Sequence, residues 1–343
     1  MSMRKRQKVQ KMLLDGVKEA ALHIMQGGLV AFPTETVYGL GGDALNEKTA
    51  RKIYSVKGRP GDNPLIVHVA WAADFWRLSS GAPDYVKLLF EEFWPGPLTL
   101  VANKNPDLPK WVGVHPSREA NTIAVRMPSH PMARALLEES RCFIAAPSAN
   151  ISGRPSPTSA NHVSDDFPDG GIFILDGGYT TVGLESTVVD VTGDGPAILR
   201  PGSITLEEVE NVTKQNGISY VSGETPRSPG TMYKHYAPKA PLTILVGNYV
   251  DVADYLAEEA ASPSIGAIVT PDTYSRLPAA AKSKTIIAGP DVWHVAKNLY
   301  ANLRAFDKLR VDKIFAECTP FEGIGFAVMD RMQKAAEGRI VFV

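Results

Sequence analysis

From Asn46 to Ala70 the chain reads NEKTARKIYSVKGRPGDNPLIVHVA. Its first half places apolar residues at helical spacing behind Asn46, a favourable N-cap residue, and predicts a helix over residues 47–56. Its second half is rich in β-branched residues and predicts a buried strand over residues 65–69. A helix, a cationic loop and a buried strand in this order indicate an α/β sheet domain.

The same alternation continues on both sides of this segment. Helices are predicted over residues 9–26, where Gly27 and Gly28 follow, and over residues 131–139. Further strands are predicted at 29–32, 98–102, 122–126, 143–146, 172–175, 187–191 and 197–199. The N-terminal part is therefore predicted to be a mixed α/β sheet with helices.

A second domain is predicted after a segment dense in proline and glycine, residues 221–241, which has no hydrophobic period and is typical of an extended linker. Beyond it, predicted strands alternate with predicted helices and indicate a smaller, Rossmann-like parallel α/β domain. The strands are 242–246, 266–270, 285–288 and 313–316, and the helices are 250–261, 291–309 and 324–336. The predicted domains are 1–215, a linker over 216–241, and 242–343. No GxGxxG motif is present, so no dinucleotide cofactor is assigned.

Composition limits the classes of function. Charged residues make up 21% of the 343 residues and the net charge is −1, which disfavours a surface built wholly for nucleic acid. The basic cluster at residues 4–6 is either a solvated tail or a weak RNA contact. Cys142 and Cys318 lie far apart in apolar runs, which favours reduced thiols and a cytoplasmic location. No run approaches the ~20 apolar residues of a membrane span.

Hydroxyl groups, small residues and single cations recur where the predicted strands of the first domain end. They lie at residues 33–36, 57–60, 126, 147–150 and 200–202. Strand ends are where ligand crevices form in α/β sheets. The sequence has no HExxH, no CxxC and no tight carboxylate cluster, so a basic, hydroxyl-rich pocket indicates phosphoryl or nucleotidyl transfer.

Taken singly, these residues also have purely structural interpretations. Lys57 and Arg59 are compatible with surface charges that complement a helix dipole. His68 alone is more typical of a satisfied core histidine than of a ligand. Arg331 and Lys334 in the last predicted helix are expected on a solvated face. The order of the motifs along the chain distinguishes a shared site from these separate roles.

The ordered motifs are FPTETVYGLG (32–41), KGRPGDNPLIVHV (57–69), FWPGPLTLV (93–101), NTIAVRMPSH (121–130), IAAPSANISGRPSPTSA (144–160), LESTVVD (184–190), ILRPGSI (198–204), SPGTMYKHYAPK (228–239) and GIGFAVMDRMQKAA (323–336). This set resembles the YrdC-like family, in the long, two-domain form of its threonylcarbamoyl-AMP synthases. The resemblance covers nearly the whole chain. It implies a twisted mixed sheet in the first domain.

The resemblance also implies an activity, that of an L-threonylcarbamoyladenylate synthase. The amine of threonine captures CO2 or bicarbonate as a carbamate, whose oxygen attacks the α-phosphate of ATP and expels pyrophosphate. The adenylate then passes to the machinery that modifies adenosine 37 of tRNA. Such a reaction requires alignment of two anionic reactants and stabilisation of charge at phosphorus, with no covalent nucleophile.

The residues that match the family's binding sets are the following. The threonine set is Thr36, His68, Arg126, Ala146 and Ser186, and the ATP set is Arg59, Asn63, Thr122, Ser148, Ser156, Arg200 and Tyr236. Lys57 and Arg59 are expected to align the phosphates and stabilise their charge, and the linker residue Tyr236 is expected to lie over the site. Mg2+ is expected with ATP, although no motif identifies a protein ligand for it. Glu35 is left outside both sets.

Two other functions stay open. A non-enzymatic RNA-binding module would use the same basic surface to hold nucleic-acid phosphates, which the near-neutral net charge disfavours. A carbamoyl-adenylate transferase with another acceptor would keep the nucleotide chemistry, and the absence of an acylphosphatase or zinc-finger segment argues against it.

Overall fold

The computed structural model describes residues 3–114, 120–220, 236–259 and 264–343, with side chains from Leu14 onward. They form two compact units. Unit 1 comprises the described residues of Met1–Ser152, Pro157–Thr181 and Glu185–Met232, and unit 2 comprises those of Gly153–Ser156, Val182–Leu184 and Tyr233–Val343. The predicted boundaries at 215 and 241 stay a prediction, and most of the predicted linker, residues 221–235, lies outside the described residues.

Unit 1 contains a nine-stranded mixed sheet in the order β7-β1-β2-β6-β3-β5-β4-β8-β9. The strands are β1 (Val30–Phe32), β2 (Gly39–Asp43), β3 (Ile66–His68), β4 (Leu98–Asn103), β5 (Thr122–Arg126), β6 (Ile144–Ala146), β7 (Phe173–Ile174), β8 (Thr187–Asp190) and β9 (Ala197–Arg200). The helices are α1 (Met3–Met25), α2 (Glu47–Lys57), α3 (Phe75–Leu78), α4 (Tyr85–Phe93), α5 (Pro131–Ser140), α6 (Ala160–Asp166) and α7 (Leu206–Thr213), with a 3-10 turn at Ala72–Asp74. The predicted mixed α/β sheet is confirmed.

Local sequence explains most of these elements. Asn46 caps α2 through its side chain, which accepts hydrogen bonds from the backbone of Lys48 and Thr49. Strand β2 was not predicted, because its sequence GLGGD has few residues of high β-propensity. A Cβ atom on Gly41 would lie 2.5 Å from Ile144 and 2.8 Å from Phe32, so close packing of neighbouring side chains requires glycine there.

The two faces of this sheet have different contents, because side chains alternate along each strand. Leu65, Val67 and Val69 belong to the main apolar core on one face. On the other face, α1 and α5 pack over a second cluster that includes Phe32 and Ala146. Among the described residues, the rest of this second face has a small apolar cluster: Ile66, Val101, Ala124, Val188 and Leu199. Polar side chains occupy the positions beside that cluster.

Unit 2 contains a five-stranded sheet whose paired strands are all parallel, in the order β12-β11-β13-β10-β14. The strands are β10 (Leu242–Val246), β11 (Ile265–Val269), β12 (Thr285–Ile287), β13 (Lys313–Glu317) and β14 (Ile340–Phe342), and the helices are α8 (Tyr249–Glu259), α9 (Pro271–Arg276), α10 (Ala279–Lys282), α11 (Val292–Leu309) and α12 (Ile324–Ala336). The prediction of a Rossmann-like parallel α/β domain is confirmed.

Two features of unit 2 differ from the sequence expectations. Strand β14 was not predicted, because it is a short segment at the chain end. Arg331 was expected on a solvated face, and this was wrong: its side chain is fully buried, with the guanidinium paired to Asp330 and placed 5.9 Å from the centre of the Tyr236 ring. The long apolar stem of arginine packs in protein interiors when its charge is paired, so charge alone did not place it on the surface.

Candidate active site

The sheet of unit 1 brings several of the predicted site residues to one face. His68 and Arg126 are register partners in β3 and β5, and Thr122 lies on the same face of β5 because it is four residues from Arg126. Ala146 pairs with Ile66 and so shares the face of His68. Arg200 pairs with Val188, which itself pairs with Thr99, the partner of Arg126. The predicted residues thus extend across the sheet from β6 to β9.

Arg126 is the centre of the threonine set. It is almost fully buried, and its terminal nitrogens donate to Glu35 Oε1 at 2.6 Å and to Thr36 Oγ1 at 2.9 Å, while Nε donates to Gly96 O at 3.3 Å. A guanidinium has five N–H donors. The described residues accept from only one N–H of each terminal nitrogen. The second N–H of each therefore remains for a ligand. Paired N–H groups of this kind match a carboxylate.

Glu35 is the residue that the sequence analysis left unassigned. Its second oxygen accepts a hydrogen bond from Ser129 N at 3.0 Å, so both carboxylate oxygens are engaged. Burial alone would raise the pKa of this carboxyl, but the Arg126 guanidinium and these hydrogen bonds hold the pKa below its ordinary value. Glu35 therefore stays ionised and orients Arg126. Its position next to two threonines in PTET was the only sequence signal.

His68 lies beside Arg126 and is buried. Its Nδ1 atom has no hydrogen-bond partner among the described residues, so this ring nitrogen of the buried imidazole is left unsatisfied by them. Burial, with a smaller contribution from the Arg126 charge, lowers the pKa of His68 to about 3. The imidazole is neutral at physiological pH and offers one ring nitrogen to a bound molecule.

The buried imidazole makes a testable prediction about stability and pH. Below its ordinary pKa of ~6.5, the unfolded chain protonates His68 while the folded chain does not, so the free energy of unfolding falls as pH falls. Between pH 6.5 and 5.0 we expect His68 to account for a loss of roughly 1.5 kcal/mol in the free energy of unfolding, which is absent in His68→Gln. Urea unfolding followed by tryptophan fluorescence measures it, since four of the five tryptophans lie in unit 1. Parallel pH profiles for the two proteins would contradict the prediction.

Ser186 links the predicted threonine-binding residues to Arg200. Its hydroxyl is 2.7 Å from Thr99 Oγ1, and Arg200 donates to both the carbonyl and the hydroxyl of Ser186 at 3.0 and 3.1 Å. All three side chains are buried. Arg200, expected in the ATP set, thus directly contacts Ser186, expected in the threonine set.

Lys57 shapes the loop that carries Ser148. It ends α2 and is only 1% exposed, so the interpretation as a surface charge is wrong. Its ammonium donates to the carbonyls of Ser148, at 2.5 Å, and Asn150. The Ser148 hydroxyl donates to Asn150 Oδ1 at 2.5 Å. A buried cation holding two carbonyls fixes the conformation of this loop.

Arg59 and Asn63 form a second polar group. The guanidinium donates to Asn63 Oδ1 at 2.6 Å and to the carbonyl of Pro64 at 2.7 Å. Because β3 and β5 are parallel, Asn63 and Thr122 lie at the same amino ends, and Arg126 lies about 13 Å away at the other end of β5. Strand β6 is antiparallel to β3, so the loop that follows Ala146 lies at the same end of the sheet as Asn63. Most of the predicted ATP residues of unit 1 therefore gather at one end, and His68 with Arg126 at the other.

The remaining predicted residues, Ser156 and Tyr236, lie in unit 2 and are described with it below. Among the described residues, no group of three or more His, Cys, Asp or Glu side chains is arranged to hold a metal ion. No helix in the described part of the chain is long and apolar enough to cross a membrane. The side chains of the basic cluster at residues 4–6 lie outside those described.

Comparison with known proteins places this arrangement in a family. A family model described as "Telomere recombination" matches residues 23–202, and one described as "Threonylcarbamoyl-AMP synthase, C-terminal domain" matches residues 204–337. The Threonylcarbamoyl-AMP synthase of Bacillus subtilis is 43% identical over 95% of this chain and 94% of the relative, and that of Pyrococcus abyssi is 42% identical over 95% and 96%. The chain belongs to the threonylcarbamoyl-AMP synthase family.

A solved member of the threonylcarbamoyl-AMP synthase family has the same fold. The crystal structure of P. abyssi Sua5 complexed with L-threonine matches with a TM-score of 0.87 and 41% identity, over 95% of this chain and 96% of that one. The resemblance inferred from the ordered motifs, including the long, two-domain form, is thereby confirmed. The individual binding residues stay predictions.

Proposed function

We propose that the protein is an L-threonylcarbamoyladenylate synthase, which makes threonylcarbamoyl-AMP and pyrophosphate from L-threonine, bicarbonate or CO2, and ATP. The observation that carries the proposal is the buried group of Arg126, Thr36 and neutral His68 in a chain that belongs to the threonylcarbamoyl-AMP synthase family. A fixed cation beside uncharged polar groups suits an amino acid that has a carboxylate and a hydroxyl.

In this proposal, the carboxylate of threonine binds the remaining N–H groups of Arg126. Glu35 keeps the guanidinium in place, and Thr36, His68 and Ser186 offer hydrogen bonds to the rest of the amino acid. The amine bonds to the carbon of CO2 and loses a proton, which gives a carbamate. The amino acid is held while the nucleotide approaches, so the reaction becomes effectively intramolecular.

The nucleotide is proposed to bind toward the other end of the same face. Arg59, Asn63, Thr122 and Ser148 offer a cation and hydrogen-bond donors there for the phosphates and the nucleoside, while Lys57 fixes the Ser148 loop. Arg200, which is in register with Arg126, is proposed to reach the phosphates from the threonine end. The carbamate oxygen bonds to the α-phosphorus, the bond to the β-phosphate oxygen breaks, and pyrophosphate leaves with the electron pair. Cations next to the phosphates stabilise the charge that develops there. Mg2+ bound to the ATP phosphates would offset part of their charge, and among the described residues no carboxylate or histidine cluster would hold it, so the phosphates themselves would be its ligands.

The product is a labile mixed anhydride, so its consumer must be an enzyme that transfers the threonylcarbamoyl group to adenosine 37 of tRNA. We place both steps in the cytoplasm, where ATP, threonine and tRNA occur together. A weak contact with tRNA through the basic cluster at residues 4–6 belongs to the same proposal.

Pyrophosphate release from the purified protein tests the function. With ATP, Mg2+, bicarbonate and threonine present, we expect release to require each component and the product to contain threonine, carbonyl and AMP in equal amounts. Release without threonine would overturn the assignment. Replacement of threonine by serine, which lacks the methyl group, or by valine, which lacks the hydroxyl, shows whether the enzyme recognises both groups.

A further inference from the structure

Two short segments that precede the predicted linker, Gly153–Ser156 and Val182–Leu184, group with unit 2. The first contains Ser156, which is in the predicted ATP set. The second ends two residues before Ser186, which is in the predicted threonine set. Helix α11 contacts both segments through residues on one of its faces. These residues, Lys297, Tyr300, Arg304 and Asp307, are called the stripe below.

The first segment is held by two charged side chains of α11. Arg304 Nη2 donates to the carbonyl of Pro155 at 2.5 Å. Asp307 accepts a hydrogen bond from Arg154 Nη2 at 3.1 Å through one oxygen and from the backbone of Lys239 at 2.9 Å through the other. The Asp307 side chain is only 8% exposed, so these bonds are shielded from water. Asp307 thus joins the Ser156 segment to the last part of the predicted linker.

The same helix holds Tyr236. This buried tyrosine has a φ of 64°, a left-handed conformation that is unfavourable for a residue with a side chain. Its ring stacks on Tyr300 with centroids 5.3 Å apart, and the guanidinium of Arg331 lies over it. The next residue, Ala237, donates its N–H to the carbonyl of Gly153 at 3.0 Å. Tyr236 and the Ser156 segment are therefore bonded to each other as well as to α11.

The second segment meets α11 at Lys297. Gly183 has a φ of 82°, and a Cβ atom there would lie 2.3 Å from the carbonyl oxygen of Lys297 and 2.5 Å from its Cα. Lys297, Tyr300, Arg304 and Asp307 are spaced by three, four and three residues, so they lie on one face of the helix. The contacts of α11 described above, with the two segments and with Tyr236, come from this stripe.

We propose that this stripe of α11 is a positioning surface for the nucleotide, with Arg304 and Asp307 as positioning residues that act through Ser156 and Tyr236. The inference rests on the proposed function and assigns a role to the C-terminal domain. Loss of Asp307 removes its hydrogen bonds to Arg154 and to the backbone of Lys239, and so loosens the Ser156 segment, while the catalytic residues of unit 1 stay unchanged. The consequence is weaker use of ATP with little change in the use of threonine.

Steady-state kinetics of pyrophosphate release test this inference. For Asp307→Ala we expect KM for ATP to rise about tenfold and KM for threonine to change less than about twofold. Asp307→Asn keeps an oxygen for the backbone of Lys239 but loses the charge opposite Arg154, so we expect a rise of about threefold. Arg154→Ala removes the other member of the Arg154–Asp307 pair, and the Arg154 side chain is partly exposed. In the Arg154→Ala, Asp307→Ala double variant, KM for ATP should be no higher than in Asp307→Ala alone.

Asp312→Ala is the matched control, because Asp312 is an exposed carboxylate in unit 2 outside the stripe. It should leave both KM values unchanged. Thermal unfolding of each variant separates misfolding from mispositioning, and Arg154→Ala supplies the kinetic answer if Asp307→Ala is unstable. Equal changes in both KM values, or additive effects in the double variant, would overturn the inference. Absence of threonine-dependent release in the unmodified protein would instead overturn the proposed function.

Discussion

Replacing Arg126 with alanine is expected to lower kcat/KM for threonine by a factor on the order of 10³ and, separately, to destabilise the folded protein. The substrate carboxylate loses a charged hydrogen-bond partner in a buried site, where truncating one partner costs about 2–5 kcal/mol. Glu35 is also left as a buried, unpaired carboxylate, which destabilises a folded protein by about 3–5 kcal/mol. Kinetics with varied threonine and urea unfolding measure the two losses separately.

A second substitution separates binding from folding. Glu35→Gln in the Arg126→Ala background removes the unpaired charge, so stability should recover while threonine use stays impaired. Arg126→Lys retains charge but not the two-pronged geometry and should be intermediate. Arg59→Ala is the matched comparison and should raise KM for ATP instead. If threonine use recovered together with stability in the double variant, Arg126 would have only a structural role.

Gly202→Ala is expected to have the next largest effect. A Cβ atom at Gly202 would lie 2.3 Å from Thr187 N and 2.7 Å from the carbonyl carbon of Ser186. These are backbone atoms at the start of β8, so the strand itself must shift. We expect a loss of about 1–3 kcal/mol in the free energy of unfolding, since overpacking in a close-packed region costs this much. KM for threonine should also rise, because Ser186 moves away from Thr99.

Gly171→Ala is the control for this substitution. Gly171 is exposed, and a Cβ atom there would meet nothing within 4 Å. Its stability and kinetics should match those of the unmodified protein. Unchanged threonine kinetics in a destabilised Gly202→Ala protein would show that the position of Ser186 is unimportant for the amino acid.

The sequence predicted those elements whose signals are local. The alternation of TIAVR placed β5 at its observed bounds, and Asn46 marked the start of α2. Strand β2 was missed because its glycines are required by Ile144 and Phe32, which are remote in sequence. A local pattern contains no information about such a neighbour.

In the candidate site, too, local features were predicted and contacts between remote residues were not. Residue types and motif order indicated which side chains belong to it, but not their partners. Glu35 bonds to Arg126 and Lys57 bonds to the carbonyl of Ser148, each across about ninety residues. Burial of Lys57 and Arg331 likewise depends on carbonyls and aromatic rings supplied by distant segments. These pairings come from tertiary packing, so sequence alone could not have supplied them.

The strand order of unit 1 also affects when the protein acquires its site during synthesis. Strand β6 lies between β2 and β3, both of which leave the ribosome earlier, and β8 with β9 completes the edge next to β4. Contacts between residues far apart in sequence form slowly and only after the later segment is available. Nascent chains that stop before Arg200 are therefore expected to bind neither threonine nor ATP. Competence for threonine should arise in one late step, after more than half of the chain has been translated, and full use of ATP should follow only after α11 has been made.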